Sequence, residues 1–425
     1  MYELVNRTVR ILKKIVPVSV VRALRPIYHR AISFLMALSY GFPARKLTVI
    51  GITGTKGKST TADMLFAILR EAGYSTALIS TIRFAIGDSS EPNPYKMTLQ
   101  GRGFAQAFMR RALDSGCTHL IIEITSESIP QYRHWFLNLD ALIVTNIQRE
   151  HIESHGSFEN YVAAKRAIVD ALVHSPKKHT ALILNKDVPE TRPFASVHVS
   201  EVIPFTASEL IHLHGDDHQI YFEYAGTSFT LPIPGTFNAM NALSAIKLAE
   251  NISIPLATAA KALATLPTIR GRVEHIDGGQ DFLAIVDYAH TPDSLRALYS
   301  AFPTHRKICV LGSTGGGRDT WKRSEMGKIA DETCEKVILT NEDPYDEDPQ
   351  AIVDMVASSM QRKPEIIMDR REAIRHALSL AKSGDAVLIS GKGTDPYLMG
   401  ARGTKTPWSD AKVVREELER LPSRL

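Results

Sequence analysis

The sequence predicts an α/β fold: a P-loop-type nucleotide-binding domain on a parallel sheet, followed by a smaller doubly wound α/β domain. Three observations carry this. The run Leu47-Thr48-Val49-Ile50-Gly51-Ile52-Thr53 ends in the glycine loop Gly54-Thr55-Lys56-Gly57, and Lys58, Ser59 and Thr60 lead into an apolar-periodic helix over residues 61–73. Short apolar runs then alternate with helix-period segments. From Glu274 onward the same alternation starts again.

A chain of 425 residues holds two or three domains. With 44% hydrophobic and 23% charged residues it has the make-up of an ordinary globular protein. A net charge of +4 is small for this length and argues against bulk nucleic-acid binding. It suits a protein that handles anionic small molecules. The three cysteines, Cys117, Cys309 and Cys334, are scattered without a C-x-x-C pair. Neither a disulfide framework nor a zinc site is expected, and the expected compartment is the reducing cytoplasm.

Residues 1–46 form a basic, apolar lead. Arg7, Arg10, Lys13, Lys14, Arg22, Arg25 and Arg30 face one acid, Glu3, and Leu4, Ile11 and Ile15 fall at helical spacing. A second apolar stretch, residues 31–42, is too short to span a bilayer. No small-residue cleavage site follows, so a signal peptide is not favoured. The favoured reading is a pair of helices packed on the first domain. The alternative is weak contact of residues 1–45 with an anionic membrane surface.

The glycine loop has the anatomy of a phosphate cradle. Backbone N–H groups of Gly54, Thr55, Lys56, Gly57 and Thr60 point at phosphates, and the helix start adds its positive dipole end. Lys58 would reach the β/γ phosphates, and the Ser59 hydroxyl would hold Mg²⁺. The common pattern places four residues between its glycines, which here falls on Ile52, so this loop is a variant.

Past the loop, residues 75–80, 119–124 and 141–145 read as strands, and 103–114 and 161–173 as helices. Ligands of such sheets bind beyond the carboxyl ends of the strands. Glu123 ends one strand, before Thr125-Ser126-Glu127. Thr145-Asn146 ends the next, before Arg149-Glu150-His151-Ile152-Glu153-Ser154-His155-Gly156. Oxygen ligands there suit Mg²⁺, and a histidine completes the shell.

The loop, Glu123, the His151/His155-Gly156 cluster and Ala163-Ala164-Lys165 together resemble a Mur ligase. These are ATP-dependent amide-forming enzymes of cell-wall precursor synthesis, and folylpolyglutamate synthetases share their architecture. Gly235-Thr236-Phe237-Asn238-Ala239-Met240-Asn241 is similar to the adenine-side motif, and Gly271-Arg272-Val273-Glu274 to the hinge into the last domain. Val286-Asp287-Tyr288-Ala289-His290-Thr291-Pro292-Asp293, Gly315-Gly316-Gly317-Arg318-Asp319 and Gly391-Lys392-Gly393 resemble the MurE branch, which adds the third amino acid to UDP-MurNAc-dipeptide. The similarity runs from about Lys46 to the C-terminus. It implies a central ATP-binding domain over residues 47–272 and a C-terminal domain over 273–425.

From Glu274, strands are expected at 284–286, 308–311, 336–339 and 386–389. Helices are expected at 293–301, 323–331, 349–360, 371–381 and 410–421. Two departures from the family stand out. Where diaminopimelate-adding MurE enzymes resemble Asp-Asn-Pro-Arg, this chain has Glu342-Asp343-Pro344-Tyr345, and a tyrosine cannot form arginine's bidentate ion pair. The family's Gly-Lys-Gly-His-Glu becomes Gly391-Lys392-Gly393-Thr394-Asp395. The expected amino-acid pocket is thus acidic, with Glu342, Asp343, Asp346 and Asp395, and suits a cationic side chain such as lysine or ornithine. Asp346-Glu347-Asp348 reads more simply as a solvated loop. MurE also has an N-terminal domain of roughly a hundred residues that grips UDP. This chain has only the basic lead.

The resemblance implies that a substrate carboxylate attacks the γ-phosphate, and an amine then displaces phosphate from the acyl phosphate. Asn238, Arg272, Asp287 and His290 match positions around ATP. Arg318 matches the arginine that holds the amino acid's carboxylate. Thr98, Gln131 and Arg133, with Thr125 in place of a serine, match contacts to the muramyl-peptide substrate. Asp343, Tyr345, Gly391 and Asp395 fall at the amino-acid end. Glu123, His151, Ser59 and Lys165 fall at the metal, with Lys165 matching a carbamylated lysine. A monomer without a nucleic-acid partner is expected. Two rivals are a non-ligating ATP-binding homologue and a two-domain ligase acting on a lipid-linked or non-nucleotide carboxylate.

Overall fold

The computed structural model describes residues 18–101, 103–150, 152–317 and 319–421. A long helix, α1 (Val18–Ser39), precedes β1 (Thr48–Thr53), the glycine loop and α2 (Lys58–Glu71). Then come β2 (Thr76–Ile79), β3 (Arg83–Ile86), β4 (Ser89–Pro92), α3 (Phe104–Asp114), β5 (His119–Glu123) and β6 (Ala141–Val144). The short α4 (Ile152–His155) and α5 (Phe158–Val173) lead to β7 (Ala181–Asn185) and β8 (Glu201–Phe205).

These strands form one sheet in the order β4-β3-β2-β5-β1-β6-β7-β8. It is parallel from β2 to β8, and β3 and β4 run antiparallel at the edge. The expected strands are found to within a residue or two. The edge hairpin was not expected, because Ser89–Pro92 is exposed along its length and carries no apolar alternation. Adjacent residues of a strand face opposite sides. Ile50 and Ile52 therefore pack with Leu65 and Ile68 on one face, while Val49 packs with Phe108 and Ile168 on the other. Both faces are covered, which is why β1 reads as a continuous apolar run.

A three-stranded antiparallel sheet follows, β9 (Ile211–Gly215), β10 (Ile220–Tyr224) and β11 (Thr227–Leu231), in a stretch with no expected element. Helices α6 (Asn238–Asn251) and α7 (Leu256–Ala264) complete this half.

The second half has β12 (Glu274–His275), β13 (Leu283–Asp287), α8 (Pro292–Ser300), β14 (Lys307–Leu311), α9 (Lys322–Thr333) and β15 (Lys336–Leu339). It continues through α10 (Pro349–Ala357), β16 (Glu365–Ile366), α11 (Arg370–Leu380), β17 (Ala386–Ser390), β18 (Tyr397–Met399), β19 (Lys405–Pro407) and α12 (Asp410–Leu418). Its six-stranded sheet has the order β12-β13-β17-β14-β15-β16, with β12 antiparallel and the rest parallel. This is the doubly wound unit that the sequence predicts.

One expectation is corrected. Cys309 on β14 and Cys334, just after α9, form a disulfide with Cα atoms 6.2 Å apart, and Cys117 stays free and buried. The two lie 25 residues apart in the chain, and only the βαβ crossover brings them together.

Helices α11 and α12 are tied by a buried ion pair. Arg370 Nε and Nη2 donate to the two Asp410 oxygens at 2.8 and 2.7 Å, and Trp408 Nε1 donates to Oδ1 at 2.7 Å. Removing one partner leaves an uncompensated buried charge. Asp410→Ala is expected to cost about 3–5 kcal/mol in a denaturant titration. A loss of about 1 kcal/mol or less, the size of a surface pair, would refute this.

Candidate active site

The glycine loop is clamped from two sides. Gly54 and Gly57 have φ of +147° and +80°, and a Cβ on them would lie 1.9 Å from Thr145 Oγ1 and 2.1 Å from Asn241 Oδ1. Only glycine fits both the backbone and the space. The Thr55 and Lys56 N–H groups donate to Asn146 Oδ1 at 3.2 and 2.8 Å, and Thr145 Oγ1 donates to Lys56 O at 2.8 Å. Thr55 Oγ1 also lies 2.8 Å from the Tyr161 hydroxyl. Lys58 folds back, its Nζ donating to Gly54 O at 3.0 Å and Thr55 O at 2.9 Å. Burial lowers its pKa, partly offset by the Glu123 and Glu150 carboxylates. Ser59 and Thr60 are buried at the start of α2.

Glu123 is fully buried where β5 ends. Its oxygens accept from Thr81 N at 3.1 Å and Thr81 Oγ1 at 2.9 Å, and Thr81 Oγ1 lies 2.5 Å from Thr98 Oγ1. Among the described residues no cation pairs with it. Glu123 and the Ser59 hydroxyl line the same cleft. A buried carboxylate with no cation bonded to it, in a cleft that a hydroxyl also lines, fits a hard divalent cation such as Mg²⁺.

Lys165 comes to this place from α5. Its Nζ donates to Gly54 O at 2.8 Å and Thr53 Oγ1 at 3.1 Å, and no carboxylate pairs with it among the described residues. Burial pushes its pKa well below the lysine range, and the Lys58 ammonium pushes the same way. His151 and Arg318 lie outside the described residues. His155, which the sequence grouped with His151, contacts Ser126 Oγ through Nε2 at 3.1 Å.

The six-stranded sheet supplies the opposite wall. Arg272 Nη2 donates to Ser59 Oγ at 3.3 Å, and its guanidinium lies 4.8 Å from the Tyr288 ring centre. Asp287 accepts the Val273 and Ala289 N–H groups, both at 2.7 Å, while burial raises its pKa against the pull of Arg272. His290 Nδ1 donates to Tyr288 O at 2.6 Å, and its Nε2 lies 3.1 Å from Glu150 Oε1. Burial pushes this ring down to about 3, against the pull of the Glu150 carboxylate. Glu150 Oε1 also accepts from Lys56 Nζ at 3.1 Å. Asn238 Nδ2 donates to Pro234 O at 2.9 Å, and its Oδ1 accepts from Asn241 at 3.1 Å.

At the other end, Arg133 Nη2 donates to Gln131 Oε1 at 2.5 Å, and its Nη1 bonds Leu99 O. Thr125 lines the cleft beside them. The acidic pocket is corrected here. Lys392 Nζ donates to both Asp343 oxygens at 2.9 Å and lies 3.4 Å from Asp395. Lys96, from the first half, bonds Asp343 and lies 2.9 Å from Asp395. Burial would lower the Lys96 pKa, but the Asp395 and Asp343 carboxylates outweigh it and raise it. Glu342 is buried and raised by desolvation. The wall is thus charge-balanced rather than acidic. Asp346 and Asp348 accept backbone N–H groups at 2.6 and 3.0 Å, and Glu347 pairs with Arg323 at 2.8 Å. This loop is therefore bonded in place and not simply solvated.

A cleft of about 570 Å³ gathers nearly all of these groups between the two sheets. Of the expected residues that are described, Tyr345, Asp346 and His155 are not on its wall. Tyr345 still reaches its edge. Its ring lies under Lys96, 5.9 Å away, and its backbone has φ of +53°. Gly391, with φ of +108°, leaves room for Glu342 Oε2, which a Cβ would meet at 2.2 Å. The sequence reading missed Thr81 and Lys96, polar residues just past a strand end or in a loop, whose partners lie far away in the chain.

The family model for the Mur ligase middle domain matches residues 52–249, and that for the Mur ligase, glutamate ligase domain matches 271–393. The UDP-N-acetylmuramoyl-L-alanyl-D-glutamate–2,6-diaminopimelate ligase of Syntrophomonas wolfei is 33% identical over 404 residues, covering 91% of this chain and 81% of that protein. The chain belongs to the Mur ligase family. A UDP-N-acetylmuramyl-tripeptide synthetase of Roseiflexus is 31% identical over 96% of this Mur ligase and 85% of the relative. Among solved structures, a UDP-N-acetylmuramoyl-L-alanyl-D-glutamate–2,6-diaminopimelate ligase aligns with TM-score 0.60 at 24% identity, covering 88% and 78%. The folylpolyglutamate synthase of Mycobacterium tuberculosis aligns with TM-score 0.71 at 15% identity, covering 92% and 96%. These two likenesses concern the fold.

Proposed function

We propose that this Mur ligase joins an amino acid to the carboxylate of a muramyl-peptide-type precursor, using ATP and releasing ADP and phosphate, in cytoplasmic peptidoglycan synthesis. One observation carries the reading: a single cleft places the phosphate loop beside polar groups from both sheets. In this reading residues 47–272 form the ATP-binding domain and 273–425 the domain that brings the amino acid, with 1–46 as a basic extension.

Lys58 turns from its loop carbonyls to the γ-phosphate and stabilises the charge that develops there. Ser59 and Glu123 would hold Mg²⁺, joined by His151 and by Lys165 as its carbamate; the ion supplies Lewis-acid charge stabilisation. Asn238, Arg272, Asp287 and His290 shape the nucleotide side. Thr98, Thr125, Gln131 and Arg133 orient the carboxylate substrate. Arg318, Asp343, Gly391 and Asp395 orient the amine, and Tyr345 supports Lys96 from behind. Excluding water between the sheets protects the acyl phosphate until the amine attacks.

ADP release should require both a carboxylate and an amine substrate. Incubation with ATP, UDP-MurNAc-dipeptide and an amino-acid panel, read by mass spectrometry, tests this. ADP release without either substrate would refute the ligase reading. Because Lys96, Asp343, Lys392 and Asp395 present both signs of charge, a zwitterionic distal end should fit at least as well as a simple cation. Diaminopimelate is therefore expected to match or exceed lysine and ornithine in kcat/KM, and a clear preference for lysine would overturn this balance.

A further inference from the structure

We propose that helix α1 docks this protein on an anionic phospholipid surface, with its outward apolar face in the headgroup boundary. The helix has two faces. The inner one holds Ile32, Ser33, Met36 and Ala37 against the first half of the chain. Met36 packs so closely on Gly103 that a Cβ there would lie 2.5 Å from its side chain. Ser33 Oγ donates to Tyr132 O at 3.1 Å, and Arg30 Nη2 to the Tyr132 hydroxyl at 2.8 Å. The Arg30 guanidinium also covers the Tyr132 and Trp135 rings at 4.7 and 5.4 Å. These contacts fix which face points out.

The outward face is apolar. Leu24, Ile27, Leu35 and Leu38 are 53, 63, 55 and 53% exposed. Their spacing puts them on one stripe, about 180° from the buried one. A surface helix ordinarily turns polar residues to water. A contiguous exposed apolar stripe marks a contact surface.

Charge selects the occupant. Residues 1–46 carry nine lysines and arginines against one glutamate, while the rest of the chain carries forty-one against forty-five. A two-fold contact with a second copy would press the same basic segment against itself. An anionic bilayer supplies both an apolar boundary and the opposite charge. No helix among the described residues is long and apolar enough to cross a membrane, so α1 would lie in the surface plane. Tyr132, which α1 grips, sits between Gln131 and Arg133 on the cleft wall. Docking therefore brings that end of the cleft toward the lipid, whichever substrate it takes.

The test uses the full chain and sedimentation with vesicles of phosphatidylcholine, alone or with about one third phosphatidylglycerol. Wild type is expected to bind the anionic vesicles at low salt, and high salt should weaken this. The triple variant Ile27→Asp, Leu35→Asp, Leu38→Asp should lose at least about tenfold in partitioning. Arg25→Glu should weaken it less. Both should keep wild-type ATP turnover measured without vesicles, which reports an intact fold. Absence of wild-type binding, or equal binding by the triple variant, overturns the proposal. So does self-association without lipid that the triple variant abolishes, which would make the face a contact between copies.

Discussion

Lys58→Ala is expected to lower ATP turnover by about 10²–10³-fold, the loss typical when one donor to a developing oxyanion is removed. Lys58 opens α2 directly after the loop, and its Nζ is held by Gly54 O and Thr55 O. Those carbonyls hold the ammonium in place without neutralising it, so it can move to a phosphate at little cost. Lys56 cannot replace it, because its Nζ points to Glu150 at 3.1 Å. The fold should survive, since the bonds lost are those from Nζ to carbonyls of its own loop. Circular dichroism and thermal melting check this beside the turnover assay. Wild-type turnover in the folded variant would remove the nucleotide assignment.

Lys165→Ala is expected to lose about 10²-fold or more, beyond the loss usual for a residue that only orients a metal ligand. The reason starts from burial. Burial at 1% exposure, with the Lys58 ammonium nearby and no paired carboxylate among the described residues, shifts this amine well toward its neutral form. A neutral amine adds CO₂ at Nζ, releases one proton and becomes a carbamate. The group then changes from a cation to an anionic oxygen donor, which a hard metal prefers. Because the step releases a proton, the modified form grows as pH rises and is lost as pH falls. Acetate at high concentration should restore part of the activity in Lys165→Ala, by supplying the missing carboxylate. Mass spectrometry of ¹³CO₂-trapped wild type gives a second readout. Full activity in Lys165→Ala without acetate would show that the lysine is no part of the metal site.

Several groups are legible in the amino-acid sequence because their chemistry is local. The phosphate loop is written in consecutive residues, with glycines where φ is +147° and +80° and the helix starting at Lys58. Strands β1, β5 and β6 announce themselves as short apolar runs because both faces of the sheet are covered. Glu123 can be placed at the sheet's ligand edge because it ends such a run. The edge hairpin β3-β4 is not legible, since an exposed two-strand edge needs no apolar pattern.

The order of motifs in the sequence, read with the periodicity of its apolar residues, was enough to determine two α/β units and the residues that face their ligand edges. Backbone geometry and side-chain period act over a few residues, so neighbours along the chain carry them. Tertiary structure alone decided which charges cancel. Asp343 and Asp395 read as a free acidic pocket until Lys96, 247 residues from Asp343, is seen to bond both. It alone paired Cys309 with Cys334, and it alone chose which apolar face of α1 is buried and which is left to solvent. Ion pairing, disulfide bonding and burial depend on distance through space, and a sequence records only distance along the chain.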